Sequence, residues 1–366
     1  MTPLAVYVHT PFCPSKCGYC DFNSYAMQGE IMDRTTRAIV AEIAMSPWRG
    51  RPAKTIFFGG GTPTYLEEGQ LIAILEAVLE AHPPIAECEI TSESNPGTAD
   101  ASKYKAMRAA GFNRISLGAQ SFQDDDLIRL ERVHKADEIG RAVDLARDAG
   151  FDNLNLDLMF ALPHQTLLGW RRNLDRALAL KPAHLSLYCL TIEPNTAFYK
   201  KHLRGQLALP DDEAQVAMYE ECLDRLASEG FEQYEISNFA MPGQECRHNL
   251  CYWRGEEYAG YGPGAVGCAG GRRYTNLKHP ERYCLAVAEG QPLAFESEEL
   301  DGDTLRTERI MLGLRLNEGL AADGEAIDEK ALRRVEARGW VEREGGTVRL
   351  TRAGRHFCSE VALELI

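Results

Sequence analysis

Apolar positions along the first two thirds of the chain follow two alternating rhythms. Short apolar or β-branched runs at Leu4–His9, Thr55–Phe58, Cys88–Thr91, Arg114–Leu117, Leu154–Met159 and His184–Tyr188 read as strands. Between them the spacing is helical. Leu71, Ile74, Leu75, Val78 and Leu79 form one face, Ile139, Val143 and Ala146 a second, and Trp170, Leu174, Ala177 and Leu178 a third. Gly111 and Gly150 follow helical stretches, as C-terminal caps do. Six strand–helix units in succession predict an α/β fold with a parallel sheet and right-handed crossovers. Periodicity does not decide whether that sheet is open or partly closed.

The rhythm weakens near Phe231, and Asn238–Cys284 is rich in Gly, Tyr, Arg and Cys. From Asp301 onward a compact pattern returns. Leu305–Leu314 and Asp328–Arg338 read as helices, and residues 339–350 as a hairpin turning at Gly345-Gly346. Three parts are therefore expected: a core over 1–236, a connecting segment over 237–300, and a small C-terminal α+β, winged-helix-like module over 301–366.

Composition narrows the function. Of 366 residues, 45% are hydrophobic and 26% charged, which excludes disorder as the main state. Lys plus Arg number 40 against 54 Asp plus Glu, so the net charge is −14. That acidity argues against a nucleic-acid partner, including DNA at the winged-helix-like module. No apolar run approaches the ~18 residues of a membrane span, and the N-terminus lacks a basic stretch before an apolar one. A cytoplasmic protein with no transmembrane segment and no signal peptide is expected. The 11 cysteines are an odd number, and in that setting grouped thiols read as metal ligands or reactive groups.

One group stands out. Cys13, Cys17 and Cys20 form a CxxxCxxC directly after the first strand. Thiolates at this spacing suit an iron–sulfur cluster or zinc. Structural zinc takes four ligands; no second CxxC exists here, so His9 or Asp21 would have to complete such a site. A four-iron cubane on three cysteines leaves one iron open to another molecule. Polar and glycine positions collect at the carboxyl ends of the expected strands, where ligands sit in parallel α/β folds. These are Gly59-Gly60-Gly61-Thr62, Glu93, Gln120, Asp157 and Tyr188. The glycine turn is not a phosphate loop, since no Gly-Lys-Ser/Thr follows it; its glycines are expected to let backbone approach a ligand. Arg132 is a bidentate partner for a carboxylate. Taken singly, each of these residues has an ordinary structural role.

The CxxxCxxC with Tyr19 before its third cysteine resembles the signature of the radical S-adenosylmethionine superfamily. With Tyr7–Cys13, Gly59–Thr64 and Asn155–Pro163, the chain is similar to the coproporphyrinogen III dehydrogenase-like group over nearly its whole length. That group contains oxygen-independent oxidases and haem chaperones. The resemblance implies a partial (β/α)6 TIM-like barrel and a 4Fe–4S cluster on Cys13, Cys17 and Cys20. It also implies S-adenosyl-L-methionine held by Tyr7, Tyr19, Gly60, Gly61, Thr62, Glu93, Gln120, Arg132 and Asp157.

Arg247–Trp253 carries an HNxxYW pattern like that of the haem chaperones. It implies His248 as a haem-iron ligand, with Tyr252 and Trp253 as flat surface beside it. No CxxCH occurs, so c-type attachment is not indicated. The glycines of Tyr258–Ala265 are expected to close backbone over the cofactor end. Two functions follow from the resemblance. One is a chaperone that binds haem and passes it to an acceptor protein, membrane-associated acceptors included. The other is a dehydrogenase that oxidatively decarboxylates coproporphyrinogen III. The dehydrogenases carry a fourth cysteine two residues past the third, where this chain has Phe22, and an extension before strand one that is not seen here. Both differences favour the chaperone. A radical RNA-modifying enzyme fits poorly with the acidic charge.

Overall fold

The computed structural model describes residues 2–322 and 327–366. Six strands run parallel in chain order: β1 (Leu4–Thr10), β2 (Ala53–Gly60), β3 (Pro84–Ser94), β4 (Arg114–Gln120), β5 (Asn153–Phe160) and β6 (His184–Cys189). Helices cover the crossovers: α1 (Glu30–Ala44), α2 (Glu68–Ala81), α3 (Ala101–Ala110), α4 (Asp124–Arg129), α5 (Ala136–Asp148) and α6 (Leu167–Ala179). Gly111 does cap α3, at φ 117°.

The barrel is open. After β6 come α7 (Ala197–Leu203) and α8 (Asp212–Ser228), then β7 (Glu232–Glu235) and β8 (Asn238–Ala240), with β8 pairing antiparallel to β6. Next are α9 (Arg247–Trp253), β9 (Tyr258–Tyr261), β10 (Val266–Ala269), β11 (Arg272–Asn276), α10 (Pro280–Glu289) and β12 (Ala294–Glu299). β9 lies parallel to β1, so both edges of the six-stranded unit are occupied and β1 never meets β6. Residues 237–300, read from the sequence as a connecting segment, thus supply five strands of one 12-stranded sheet. Those strands are three to six residues long, too short for alternation to register.

Alternation along the parallel strands sorts two faces. Leu4, Val6 and Val8 of β1, Ile56 and Phe58 of β2, and Leu154, Leu156 and Leu158 of β5 join helix residues such as Ile39, Leu71, Leu75 and Trp170 in the main core. The opposite face is polar. Glu93 registers with Ser116, Ser116 with Asn155, and Asn155 with His184. A closed TIM barrel fills this space with branched apolar side chains; here polar groups surround a cavity.

The C-terminal module consists of α11 (Gly302–Gly313), β13 (Leu320–Ala321), α12 (Glu329–Ala337), β14 (Val341–Glu344), β15 (Thr347–Leu350) and α13 (Cys358–Leu365). Gly345 and Gly346 turn the hairpin at φ 57° and 84°. Both values lie in the left-handed region that a two-residue hairpin turn requires. Val335, Val348 and Val361 are fully buried in a core of its own.

Candidate functional site

The loop leaving β1 folds back on itself. Tyr25 N–H donates to Pro11 O at 2.7 Å and Cys13 N–H to Tyr25 O at 3.1 Å, which pins both ends. The three cysteines between are half-buried, free thiols that line one cavity of about 480 Å³. Burial is the main cause raising the Cys13 and Cys20 thiols, and the neighbouring cysteines add to it. Cys13 Sγ lies 3.4 Å from Thr62 Oγ1, and Arg132 donates to Cys17 Sγ at 3.7 Å. Among the described residues no His, Cys, Asp and Glu side chains gather as the ligands of a single metal ion would. A cubane asks for a different arrangement, with each thiolate on its own iron. Three accessible thiols facing one cavity beside a guanidinium fit that group.

Opposite the loop, the strand ends deliver their polar groups. Tyr19, Gly60, Gly61, Thr62, Glu93, Gln120, Arg132 and Asp157 all line the same cavity. Glu93 accepts from Gly60 N–H at 3.2 Å. Burial and then the charge of Asp157 push its carboxyl up to about 8. Asp157 accepts from Asn155 Nδ2 at 2.7 Å and Ser116 Oγ at 3.2 Å, yet burial still raises it. Arg132 donates to Asn95 Oδ1 at 2.6 Å and to Gly118 O at 2.8 Å. Tyr19 packs edge-to-face on Phe198 with ring centroids 6.2 Å apart. Gln120 ends β4 at φ 62°, strained for a non-glycine residue.

The glycines have a different reason from the one expected. A Cβ at Gly60 would lie 2.3 Å from the His9 ring, and one at Gly61 2.6 Å from Phe12 O. Their N–H groups are already given to Glu93 and, at 2.9 Å, to Thr10 O. Protein neighbours therefore demand glycine here, and with both N–H groups engaged the turn has only its carbonyls, which are acceptors, to offer a ligand. The glycines of 258–265 also answer to protein neighbours, and Asn23 of the cysteine loop donates to Pro263 O at 3.0 Å. A Cβ at Gly260 would lie 2.0 Å from Val266 O and one at Gly262 2.3 Å from His9 O, so they let β9 pack against its neighbours.

Two expected residues lie outside the cavity lining. Tyr7 sits within β1, its hydroxyl 3.2 Å from His9 Nδ1 and its ring stacked on Phe57. His248 is buried beneath it. Its Nδ1 is 2.8 Å from Thr55 Oγ1, its Nε2 is 2.9 Å from Tyr252 Oη, and its ring stacks on Phe57 at 5.1 Å. Burial, then the charges of Arg114 and Lys54, push it down to about 3. Against the expectation of a haem-iron ligand, both ring nitrogens are engaged: the imidazole pins α9 to β2. It reaches an iron only if one of these two contacts is given up.

The pattern reading missed Asn95, Ser116, Asn155, Ser186 and Arg114, which also line the cavity. Asn95 alone had a signal, two residues beyond Glu93 at the end of β3. It bridges the site, donating to Thr62 Oγ1 at 2.7 Å while accepting from Arg132.

A cavity at the carboxyl ends of a parallel six-stranded unit, faced by a three-cysteine loop, defines a class. The profile of the Radical SAM superfamily matches residues 7–177, and that of the HemN C-terminal domain matches residues 300–357. The chain belongs to the radical SAM superfamily and, within it, to the coproporphyrinogen III dehydrogenase-like group. It is 38% identical to the Heme chaperone HemW of Bacillus subtilis, over 98% of this chain and 97% of that one. It is 42% identical to the Heme chaperone HemW of Escherichia coli, over 77% of this chain and 76% of that one. Coproporphyrinogen III oxidase (HemN) of Escherichia coli, described as a radical SAM enzyme, superposes with a TM-score of 0.86 at 25% identity, over 100% of this chain and 90% of that one.

Proposed function

We propose that this protein is a haem chaperone that binds haem and passes it to an acceptor protein, while carrying a 4Fe–4S cluster and S-adenosyl-L-methionine. The similarity to chains named haem chaperones, at 38% over nearly the full length, carries this reading against 25% for the oxidase. Phe22, at the place where the dehydrogenases have their fourth cysteine, supports it.

In this reading Cys13, Cys17 and Cys20 hold the cluster. The cluster's open iron would offer a place for the amino and carboxylate groups of S-adenosylmethionine. Arg132 and Asn95 would meet the carboxylate, carbonyls of the glycine turn would accept from the amino group, and Glu93 and Asp157 would accept from that amino group or the ribose hydroxyls.

The test is one anaerobically reconstituted sample examined three ways. It should carry four irons per chain, bind haem on titration, and leave coproporphyrinogen III unconverted. Cys17→Ala should lose most of its iron, and Cys268→Ala, far from the loop on β10, should keep it. Full iron in Cys17→Ala would sink the cluster assignment. Steady turnover of coproporphyrinogen III would replace the chaperone by the dehydrogenase.

A further inference from the structure

Arg114 occupies an expensive place for an arginine. It points from β4 into the barrel, is 1% exposed, and forms part of the cavity wall with Ser116, Asn155 and Cys246. Among the described residues its Nε has no acceptor. Glu89 and Asp157 act on it as charges at longer range. Their oxygens are committed elsewhere. Glu89 accepts from the Cys246 thiol at 3.6 Å and from Arg247 and His248 N–H, each at 3.0 Å. Asp157 is held by Asn155 and Ser116. A guanidinium has five donors and does not lose its charge. The acidic surroundings favour its charged form in spite of burial, yet a buried donor without an acceptor is costly, and the cavity is the open side from which an acceptor can come.

We infer that Arg114 anchors a carboxylate arm of the bound tetrapyrrole, a haem propionate, inside the barrel. The inference rests on the haem reading above and names the polar end of its site. A carboxylate matches the guanidinium fork bidentately. At the mouth, Phe22, Val133 and Tyr188 line the same cavity and are 66%, 61% and 41% exposed. They offer the apolar ring a surface while one arm descends. At about 3.3 Å per residue, the Arg114 backbone lies roughly 13 Å below Gly118. The arginine side chain and a propionate together span most of that depth. Asn249 of α9, and Cys246 just before it, belong to the same wall, so a haem held this way has His248 close behind.

The test compares haem with haem dimethyl ester, whose propionates carry no charge, titrated into the cluster-loaded protein. Wild type should bind haem about tenfold or more tighter than the ester, the scale of one charge-assisted pair. Arg114→Gln should bind the two equally. Arg114→Lys, a point charge without the fork, should show a reduced preference, and it carries the test if Arg114→Gln folds poorly. A merely structural arginine would weaken both ligands and leave their ratio unchanged. An unchanged ratio in the variants, or no preference in wild type, overturns the anchor while the haem reading stands. Failure of wild type to bind either ligand defeats the haem reading, and the anchor with it.

Discussion

Glu93 holds a proton that its surroundings force on it. Burial and the nearby Asp157 charge move the carboxyl up to about 8, and a single backbone N–H from Gly60 is too little to bring it down. Near pH 7 the free protein therefore carries Glu93 mostly neutral. A ligand that sets an ammonium or sulfonium beside it favours the carboxylate. The bound state then holds fewer protons, so binding releases a proton below about pH 8. Affinity for S-adenosylmethionine should rise as pH climbs from about 6 to 8 and level above that. Calorimetric titration in two buffers of different ionisation heat reads the released proton directly. Glu93→Gln should lower the number of protons released relative to wild type, the proton lost by the ligand's own amino group remaining, and an unchanged number would remove Glu93 from the ligand's cation. At this scale the sequence was most legible where residue types have few ordinary uses, as with three cysteines in eight positions. Arg114 was illegible for the converse reason. A strand arginine reads as solvated until the topology turns its face of β4 inward.

The short helix α9 is held by groups from two strands. Glu89 of β3 receives the N–H groups of Arg247 and His248, which satisfies donors a helix start otherwise leaves open. Thr55 of β2 and Tyr252 of the helix itself hold the imidazole. Tyr252→Phe removes one of those bonds without changing shape. It should lower stability by about 1 kcal/mol, read as a small drop in unfolding midpoint. It also frees Nε2. If His248 ligates haem iron once α9 releases it, Tyr252→Phe should bring on the iron–imidazole absorption change at a higher rate than in wild type. The double variant with His248→Ala should lack that change. Equal rates in Tyr252→Phe and wild type would mean that this contact does not gate the ligand. The alternating units of β1 to β6 were readable because each strand and helix is long enough for its period to repeat. β7 to β12 were not, and neither was the packing need for glycine at Gly260 and Gly262. Their need comes from Val266 and His9, remote in the chain and visible only after folding.

Across the whole molecule, the C-terminal module is fastened to the barrel edge through one buried acid. Glu235, at the end of β7, is fully buried and accepts from Ser237 N–H at 3.0 Å, from Asn238 Nδ2, and from Arg315 at 3.1 Å. Arg315 also lies over the Trp253 ring at 4.5 Å, tying α9 into the same joint. Around it, Asn317 N–H donates to Tyr234 O at 3.0 Å, Arg254 pairs with Glu318, and Arg352 with Glu220 and Asp224. The outer pairs are exposed and worth little singly. The inner pair differs in its acid, which is buried and also accepts from Ser237 N–H and Asn238, while Arg315 keeps 29% of its side chain exposed. Glu235→Ala leaves those two donors unmet and should therefore cost about 2–3 kcal/mol, more than Glu318→Ala, which should cost about 1 kcal/mol or less. The module has its own apolar core, so the loss should loosen the joint before it melts either part. Limited proteolysis should then cut near residue 300 in Glu235→Ala while wild type resists. Calorimetry should resolve one transition into two. A single transition with unchanged cleavage would mean that the surrounding contacts, not Glu235, hold the module in place.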